Sequence, residues 1–236
     1  MGPFFGSGRD MTGADLQMPV KVTLRREDAS PESRASRMLR HPVFAWLGTR
    51  PILADHTRKE HGALTRWSAG RRRLVEIGVA EGASALALRE AMSPEGTLWL
   101  VDPFHLSRIS WLNATRRAAH RAIAACKNGE IVWVEKFSAA AARDWNGPID
   151  FLFIDGDHSE AGVQQDWDEW HRFVAPDGIV CFHDAALFPG GWTAPDWGPV
   201  KLVDRLFRDG NVPGWKLEEQ VDSLVVVKRV PGESGS

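Results

Sequence analysis

The chain of 236 residues has no tyrosine and only two cysteines, although it contains 11 tryptophans. Cys126 and Cys181 lack the paired spacing of a metal site, so we expect two free thiols in a reducing compartment. No apolar run has the length of a transmembrane helix, and the N-terminus lacks a basic segment followed by an apolar one. These absences predict a cytoplasmic protein with no membrane partner.

An excess of charge of one sign is also missing. Lysine and arginine together number 29 and aspartate and glutamate 31, which gives a formal net charge of -2. This balance argues against a general nucleic-acid or membrane-surface binder. Hydrophobic residues make up 43% of the chain, enough for one folded α/β domain at this length.

Buried strands alternate with amphipathic helices from Leu74 onward. This order implies right-handed crossovers and a mainly parallel sheet in an α/β fold. Two segments, 215–219 and 223–228, read as closing strands joined by a tight turn, so that one of them is antiparallel. The predicted domains are a mobile tail (1–33), an N-terminal helical cap (34–70), a catalytic domain (71–229) and a disordered tail (230–236). Within the cap we expect helices over 31–46 and 57–69.

Two of the predicted strands end in acids and histidines. The run 151–154 is apolar at every position, which is typical of a strand buried on both faces, and it leads into Asp155, Asp157 and His158. The strand 179–182 ends in the same way at His183 and Asp184. Because parallel strands present their carboxyl ends at one edge, where open α/β folds bind ligands, we expect a site there.

A glycine turn follows the first strand of the predicted catalytic domain. The spacing Glu76-x-Gly78-x-x-x-Gly82-x-Ser84 differs from the dinucleotide fingerprint G-x-G-x-x-G. A glycine turn at a helix N-terminus suits an anionic group, and a preceding acid suits a ligand that also carries an amino group. Asp102, at the end of the next strand, has the position of an acceptor for a ribose diol. A nucleoside-type cofactor is therefore predicted, and a simple packing turn is the alternative.

Four motifs in order resemble those of class I S-adenosylmethionine-dependent methyltransferases. The motifs are Val75-Glu76-Ile77-Gly78…Gly82…Ser84, Val101-Asp102-Pro103-Phe104, Ile154-Asp155-Gly156-Asp157-His158 and Pro176-Asp177-Gly178…His183-Asp184. The nearest group is the metal-dependent O-methyltransferases that act on sugars of macrolides and other glycosides, with the cephalosporin-hydroxylase-like proteins nearby. The resemblance covers residues 74 to 228. It implies a Rossmann-like, doubly wound sheet of seven strands whose last strand is antiparallel.

The resemblance also implies a cofactor site for S-adenosylmethionine. The turn from Glu76 to Ser84, with Gly78 and Gly82, would hold the methionine end of the cofactor, and Asp102 would bind the ribose hydroxyls. Phe137 and Ser138 would border the adenine. Asp155 also belongs to this predicted cofactor site.

A divalent cation and a base are implied for the reaction itself. Alkyl transfer to an alcohol requires loss of the hydroxyl proton, which a cation and a nearby base both assist. Asp155 and Asp184 are the predicted ligands of Mg²⁺ or Mn²⁺, and His158 is the predicted base, with Asp157 as an alternative base or a supporting residue. Related enzymes often have an acid where this chain has His183, which could ligate the metal or stay outside the site.

The acceptor is not encoded in a motif. The resemblance predicts a hydroxyl of a sugar, glycoside or oligosaccharide, and Trp192 in the loop 188–199 is a candidate for stacking on it. Trp197 is expected to anchor that loop. A homodimer is an alternative to a monomer, since N-terminal segments pair subunits in related enzymes. Other functions left open are a nucleotide-dependent oxidoreductase, a metal hydrolase, a non-catalytic protein of the same fold, and a metal-independent methyltransferase for a non-sugar molecule.

Overall fold

The computed structural model describes residues 20–25, 42–104, 113–210 and 212–230. Within these ranges the strands are β1 (Val22–Arg25), β2 (Ile52–Thr57), β3 (Arg73–Ile77), β4 (Thr97–Val101), β5 (Glu130–Val134), β6 (Ile149–Ile154), β7 (Val174–Phe182), β8 (Trp215–Val221) and β9 (Leu224–Arg229). The α-helices are α1 (Pro42–Trp46), α2 (Arg58–Ser68), α3 (Ala83–Ala91), α4 (Ala114–Ala124), α5 (Ser138–Arg143), α6 (Glu160–Trp170) and α7 (Gly198–Val203). A 3-10 turn (His171–Phe173) follows α6, and a π-helical turn (Asp204–Arg208) follows α7.

Seven strands form the main sheet in the order β5-β4-β3-β6-β7-β9-β8. The strands from β3 to β7 are parallel to one another, whereas β9 is antiparallel to both β7 and β8. The predicted Rossmann-like, doubly wound sheet with an antiparallel closing strand is therefore confirmed.

The apolar run of β6 explains the central position of that strand. Phe151 and Phe153 pack into the core on one face of the sheet, and Leu152 and Ile154 pack into the core on the other. All four are at most 3% exposed. A strand with both faces covered by helices needs apolar residues at every position, which is the pattern that the sequence shows.

The strand β7 begins earlier than the sequence predicts. The predicted strand spans 179–182, whereas Pro176, Asp177 and Gly178 already lie within β7, where its pairing with β6 is irregular. Ile149 pairs with Val174 and Phe151 with Ile179, so the extra residues of β7 have no partner, and Asp177 has a φ of 63°. A bulge of this kind accommodates a proline and a left-handed residue without ending the strand.

The N-terminal region contains strands that were not predicted. β2 lies inside the segment expected to be a helical cap, and β1 lies inside the expected mobile tail; the two form a separate parallel pair. Those two predictions were wrong for residues 52–57 and 22–25. Helix α2 agrees with the helix expected over 57–69. Of the helix expected over 31–46, residues 42–46 are helical, and residues 26–41 lie outside the described part, as do most of the predicted terminal tails.

Helix α2 begins with a complete capping box. The Thr57 hydroxyl accepts the Glu60 N–H, and the Glu60 carboxylate accepts the Thr57 N–H at 2.6 Å. Such reciprocal bonds satisfy two backbone donors that the first turn would leave free. Across the described residues, no helix is both long and apolar enough to cross a lipid bilayer.

Candidate active site

The parallel strands bring the predicted site residues to one edge of the sheet. Strands β3, β4, β6 and β7 end at Ile77, Val101, Ile154 and Phe182, and are followed by Gly78, Asp102, Asp155 and His183. The four motifs, which are spread over more than a hundred positions of the chain, therefore lie side by side.

The turn after β3 requires glycine at two positions. Gly78 has a φ of 85°, and a Cβ there would lie 2.0 Å from the carbonyl oxygen of Asp155. Gly82 also has a φ of 85°, and it is the N-cap of α3 next to Ala119. Both residues thus allow the turn to pack closely between β6 and α4, which is a requirement of backbone geometry.

Glu76 lies beneath this turn. Its carboxyl group is fully buried and accepts a hydrogen bond from the Ser84 hydroxyl, while its Oε2 has no hydrogen-bond partner among the described residues. Burial raises the pKa of this carboxyl group well above its usual value. Neither Glu76 nor Gly82 lines the cleft described below, whereas Ser84 does. Glu76 therefore stabilises the turn from beneath the surface of the cleft, whereas the sequence predicted that it would contact the cofactor.

Asp102 holds the glycine turn in place. Its Oδ2 accepts the Val79 N–H at 2.9 Å, and its Oδ1 accepts the Phe104 N–H at 2.7 Å. The carboxylate still lines the cleft, where the sequence predicted a partner for ribose hydroxyls. One side chain therefore links the end of β4 to the turn after β3.

A cleft of about 700 Å³ opens beside these residues. Its volume is within the range of small-molecule and cofactor sites. Seven of the predicted site residues line it: Gly78, Ser84, Asp102, Phe137, Ser138, Asp155 and Asp157. Phe137 is 61% exposed, which is unusual for a large apolar side chain. Its position on the surface of the cleft explains this exposure.

An acid–imidazole cluster lies at one end of the cleft. His158 Nε2 lies 3.2 Å from Asp155 Oδ1, and His158 Nδ1 lies 3.7 Å from Asp184 Oδ2. The hydrogen bond with Asp155 raises the pKa of His158, and burial only partly opposes it. His158, at 40% side-chain exposure, is accessible, while His183 and Asp184 are buried. The predicted base and both predicted ligands are therefore in mutual contact.

Asp157 has a different environment from the other acids of its motif. Its Oδ1 accepts the Ser159 N–H at 2.9 Å, and its Oδ2 accepts the Ser159 hydroxyl at 3.0 Å. Ser159 is the N-cap of α6 and accepts the Gly162 N–H. Through these contacts, Asp157 holds the N-cap residue of α6 in place.

His183 lies between carboxylates in the interior. Its Nδ1 is 3.2 Å from Asp155 Oδ1, and its Nε2 is 3.6 Å from Glu60 Oε2. Neither nitrogen makes a well-aligned hydrogen bond among the described residues, so these contacts are ion pairs. Burial lowers the pKa of His183, but the charges of Asp155 and Asp184 outweigh it and raise that pKa well above 6.5. The imidazole is therefore expected to be charged.

The same contacts determine the ionisation of the acids. Burial raises the pKa of Asp155, but the charge of His183 and the hydrogen bond from His158 outweigh burial and lower it. For Glu60, burial is outweighed by His183, Ser223 and Thr57, and the pKa falls to about 2. Both carboxylates are consequently ionised near neutral pH and compensate the charge of His183.

The predicted donors for a metal ion are two carboxylates, those of Asp155 and Asp184. Among the described residues, no group of three or more His, Cys, Asp or Glu side chains has the arrangement of a metal site. Asp184 Oδ1 accepts the Trp192 Nε1–H at 2.6 Å, and Ser223 Oγ lies 3.3 Å from it. Mg²⁺ commonly takes one or two carboxylates and completes its shell with waters and substrate, so the ligation of a cation by Asp155 and Asp184 stays a prediction.

The tryptophan loop packs against this cluster. The Trp192 indole donates to Asp184, and the ring of Trp197 is stacked on His158 with centroids 5.8 Å apart. Trp192 is only 9% exposed, so most of its ring is unavailable for stacking on an acceptor. Trp197 contacts the predicted base, in addition to the anchoring role expected from the sequence.

Several residues of the cleft were not identified from the sequence. Strand β2 contributes Leu53, Asp55 and His56, and the glycine turn contributes Glu81. Glu81 was within a motif already identified, so its acidic side chain was an available signal. The residues of β2 belong to a strand that was not predicted. Asp166 on α6 also lines the cleft, and its helical spacing gave no indication of that position.

Comparison with known proteins agrees with this geometry. Residues 75–185 match a family model described as a methyltransferase domain. A Corynebacterium glutamicum protein superposes with a TM-score of 0.60 at 16% identity, covering 87% of this chain and 94% of that one. The O-methyltransferase TomG from Streptomyces achromogenes, involved in tomaymycin synthesis and solved with S-adenosylmethionine, gives 0.53 at 17% identity, with coverages of 85% and 92%.

A ribosomal RNA methylase from Streptococcus thermophilus also shares the fold. Its TM-score is 0.52 at 11% identity, and the match covers 75% of this chain and all of that one. Identities this low show a common fold and leave the acceptor open. The matched methyltransferase domain lies over the predicted motifs, and it confirms the resemblance of this chain to class I S-adenosylmethionine-dependent methyltransferases, whose fold the chain shares.

Proposed function

We propose that this protein is an O-methyltransferase that methylates a hydroxyl group of a sugar, glycoside or oligosaccharide. The observation that carries the proposal is the contact between His158 and two carboxylates, Asp155 and Asp184, at the end of the cleft. A base beside two acids suits an acceptor that must lose a proton as it is alkylated. The O-methyltransferase TomG, which shares the fold, supports the same class of reaction.

The proposed reaction forms one bond and breaks another. The acceptor oxygen bonds to the methyl carbon as the carbon–sulfur bond of S-adenosylmethionine breaks, and the neutral thioether S-adenosylhomocysteine is released. The hydroxyl proton passes to the imidazole of His158. Asp155 orients that ring through its 3.2 Å contact and stabilises the imidazolium that results.

The residues of the glycine turn would orient the cofactor. Gly78 and Ser84 line the cleft at the turn after β3, and Asp102 lies beside them at the end of β4. Phe137 and Ser138 lie on the cleft surface at the start of α5, where an adenine ring can pack. These contacts would place the methyl group toward Asp155, the residue shared by the cleft and the acid–imidazole cluster.

A divalent cation would assist the acceptor. Asp155 and Asp184 would hold it, and when bound it would lower the pKa of the coordinated hydroxyl. Because His183 is expected to be protonated, it has no lone pair for a metal, and its proposed role is to neutralise Asp155 and Glu60. Mg²⁺ is the ion expected for a donor set of oxygens, with Mn²⁺ as the alternative.

A labelled methyl-transfer assay tests the proposal. The purified protein is incubated with S-adenosylmethionine carrying a tritiated methyl group and a panel of glycosides, with and without EDTA. We expect label in the glycoside fraction, loss of transfer with EDTA, and recovery with Mg²⁺ or Mn²⁺. Transfer that is unaffected by EDTA would contradict the metal role, and label found only on nitrogen or carbon acceptors would contradict O-methylation.

A further inference from the structure

Strand β2 lines the cleft and is fixed at both ends. At its start, Arg50 Nη1 donates to Glu81 Oε2 at 2.9 Å, and the Leu53 N–H donates to the same oxygen at 3.2 Å. At its end, the Thr57 hydroxyl donates to Asp222 Oδ2 at 2.8 Å in the turn between β8 and β9. The strand therefore forms a fixed wall between the glycine turn and the far side of the sheet.

The residues of β2 alternate between a core and the cleft. Ile52 and Ala54 are at most 6% exposed and pack against α1 and α4. Leu53 and Asp55 point the other way and line the cleft. A strand with one face in the core and one face on a ligand cleft is well placed to recognise a substrate.

Asp55 is the acidic group that β2 presents to the cleft, next to His56, which also lines the cleft but is only 4% exposed. The Asp55 side chain is open to the cleft, and no residue that the structure describes lies within hydrogen-bonding or ion-pair distance of its carboxylate. Enclosure in the cleft and the neighbouring charge of Asp155 raise the pKa of Asp55, with smaller opposing contributions from His183 and Arg25. A carboxylate without a partner beside the reacting centre is a strong acceptor for a ligand donor.

Arg25, whose charge acts on Asp55, packs against a tryptophan. The Arg25 guanidinium of β1 lies 3.7 Å from the centroid of the Trp192 ring, whose indole donates to Asp184. Arg25 therefore packs the tryptophan loop against β1. The carboxylate of Asp55 remains available to an acceptor that enters between β2 and the acid–imidazole cluster.

We propose that Asp55 is a specificity-determining residue that binds a hydrogen-bond-donating group of the acceptor, a hydroxyl or a protonated amine, next to the hydroxyl that is methylated. The inference rests on the proposed function and deepens it. It predicts an acceptor with two neighbouring donors: one loses its proton to His158, and the other is held by Asp55. A simple alcohol would leave the carboxylate without its partner and would be a poor substrate.

Matched acceptors test the inference. The probes are methyl glycosides of common hexoses, each compared with the deoxy analogue that lacks the neighbouring hydroxyl and with the amino analogue that replaces it. Labelled methyl transfer from S-adenosylmethionine is measured for the wild type, Asp55→Ala and Asp55→Asn. The exposed Asp209, outside the cleft, provides the control Asp209→Asn.

We expect the wild type to favour the acceptor with two donors by roughly 10- to 100-fold in kcat/KM, the usual effect of a hydrogen bond to a charged group. Asp55→Ala should abolish this preference, and Asp209→Asn should retain it. The amide of Asp55→Asn still accepts from a hydroxyl but does not pair with an ammonium, so partial retention identifies a hydroxyl and complete loss identifies an amine.

Calorimetry with S-adenosylmethionine separates the two proposals. Equal binding by the wild type and Asp55→Ala shows that the variant is folded and that the cofactor site is intact. If both proteins bind S-adenosylmethionine, either of two results would overturn the role of Asp55. The wild type would methylate all members of each matched set of acceptors equally, or it would methylate none of them. Absence of S-adenosylmethionine binding by the wild type would instead contradict the proposed function on which the inference rests.

Discussion

Each acid and imidazole at the carboxyl edge of β6 and β7 has a distinct environment. His158 is accessible and contacts two carboxylates, His183 is buried between Asp155 and Glu60, and Asp157 is bonded to Ser159. The pKa of both histidines is raised, but only the ring of His158 can reach a substrate. At the scale of single residues, exposure therefore separates the proposed base from a group that compensates charge.

Removal of the proposed base gives the first prediction. His158→Ala should lower kcat at least roughly 100-fold, because general-base catalysis contributes that much or more. The affinity for S-adenosylmethionine should change little, since His158 does not line the cleft proposed for the cofactor. Steady-state kinetics and calorimetry measure the two quantities.

Chemical rescue and a second variant complete this test. Added imidazole should restore part of the lost rate if the ring acts as a base. Asp157→Asn should affect the rate less than His158→Ala does, because its contacts are to Ser159 at the start of α6. A His158→Ala enzyme with a normal rate would remove this residue from the reaction.

Asp166 gives a prediction about pH and stability. It is 5% exposed on α6, and burial raises its pKa to about 6, with Ser138 opposing the shift. Since the folded protein favours the protonated form, stability is lost as pH rises through about 6. Asp166→Asn should therefore raise the free energy of unfolding at pH 8 by up to about 3 kcal/mol, and by about 1 kcal/mol less at pH 5.

Denaturant unfolding of the cofactor-free protein at the two pH values measures this difference. Asp168→Asn, on the exposed side of the same helix, is the matched control and should change little. The same gain for Asp166→Asn at both pH values would show that ionisation of this carboxyl group does not destabilise the fold.

At the scale of elements, the strand–turn–helix unit of β3 and α3 lines the cleft in which we propose that the cofactor binds. Gly78→Ala should cost at least about 2 kcal/mol, because the residue has a left-handed φ and its new methyl group would meet the Asp155 carbonyl. The variant should also bind S-adenosylmethionine more weakly. Thermal unfolding with and without the cofactor measures both effects.

Gly62→Ala is the contrasting substitution. Gly62 lies inside α2, and an added Cβ meets no atom within 4 Å. Alanine should therefore stabilise the protein by about 0.5–1 kcal/mol, the difference in helix propensity. If both glycine variants changed stability alike, the packing requirement at Gly78 would be incorrect.

The central strands could be predicted because their local signals agree. In β6, four consecutive apolar residues predict burial on both faces, and the flanking helices provide that burial. The acids and histidines after β6 and β7 could be placed together for the same reason, because parallel strands share a carboxyl edge. The resemblance to a family added the cofactor, which periodicity alone left as a nucleoside-type ligand.

The N-terminal strands could not be predicted in the same way. In β2 the polar His56 is buried, whereas the apolar Leu53 lies on the cleft, so the sequence of the strand shows no clear apolar face. Its stability comes from partners far along the chain. The Glu60 carboxylate that follows it accepts from Ser223, 163 residues away, and such contacts leave no local signal.

At the scale of the whole molecule, three distant segments meet around the candidate site. Helix α2 supplies Glu60, and the loop that follows β7 supplies His183. The turn between β8 and β9 supplies Ser223, which also lies 3.3 Å from Asp184. These buried contacts connect the N-terminal pair of strands to the main sheet. The wall formed by β2 and the acid–imidazole cluster are thus parts of one hydrogen-bonded network.

Isothermal titration of the purified protein with S-adenosylmethionine, with NAD⁺ as the competing cofactor class, is the most direct measurement of the central claim. We predict one site per chain for S-adenosylmethionine, no heat with NAD⁺, and strongly reduced binding by Gly78→Ala. Binding of NAD⁺ without binding of S-adenosylmethionine, or full affinity for S-adenosylmethionine in the Gly78→Ala variant, would contradict the proposed role of the turn after β3.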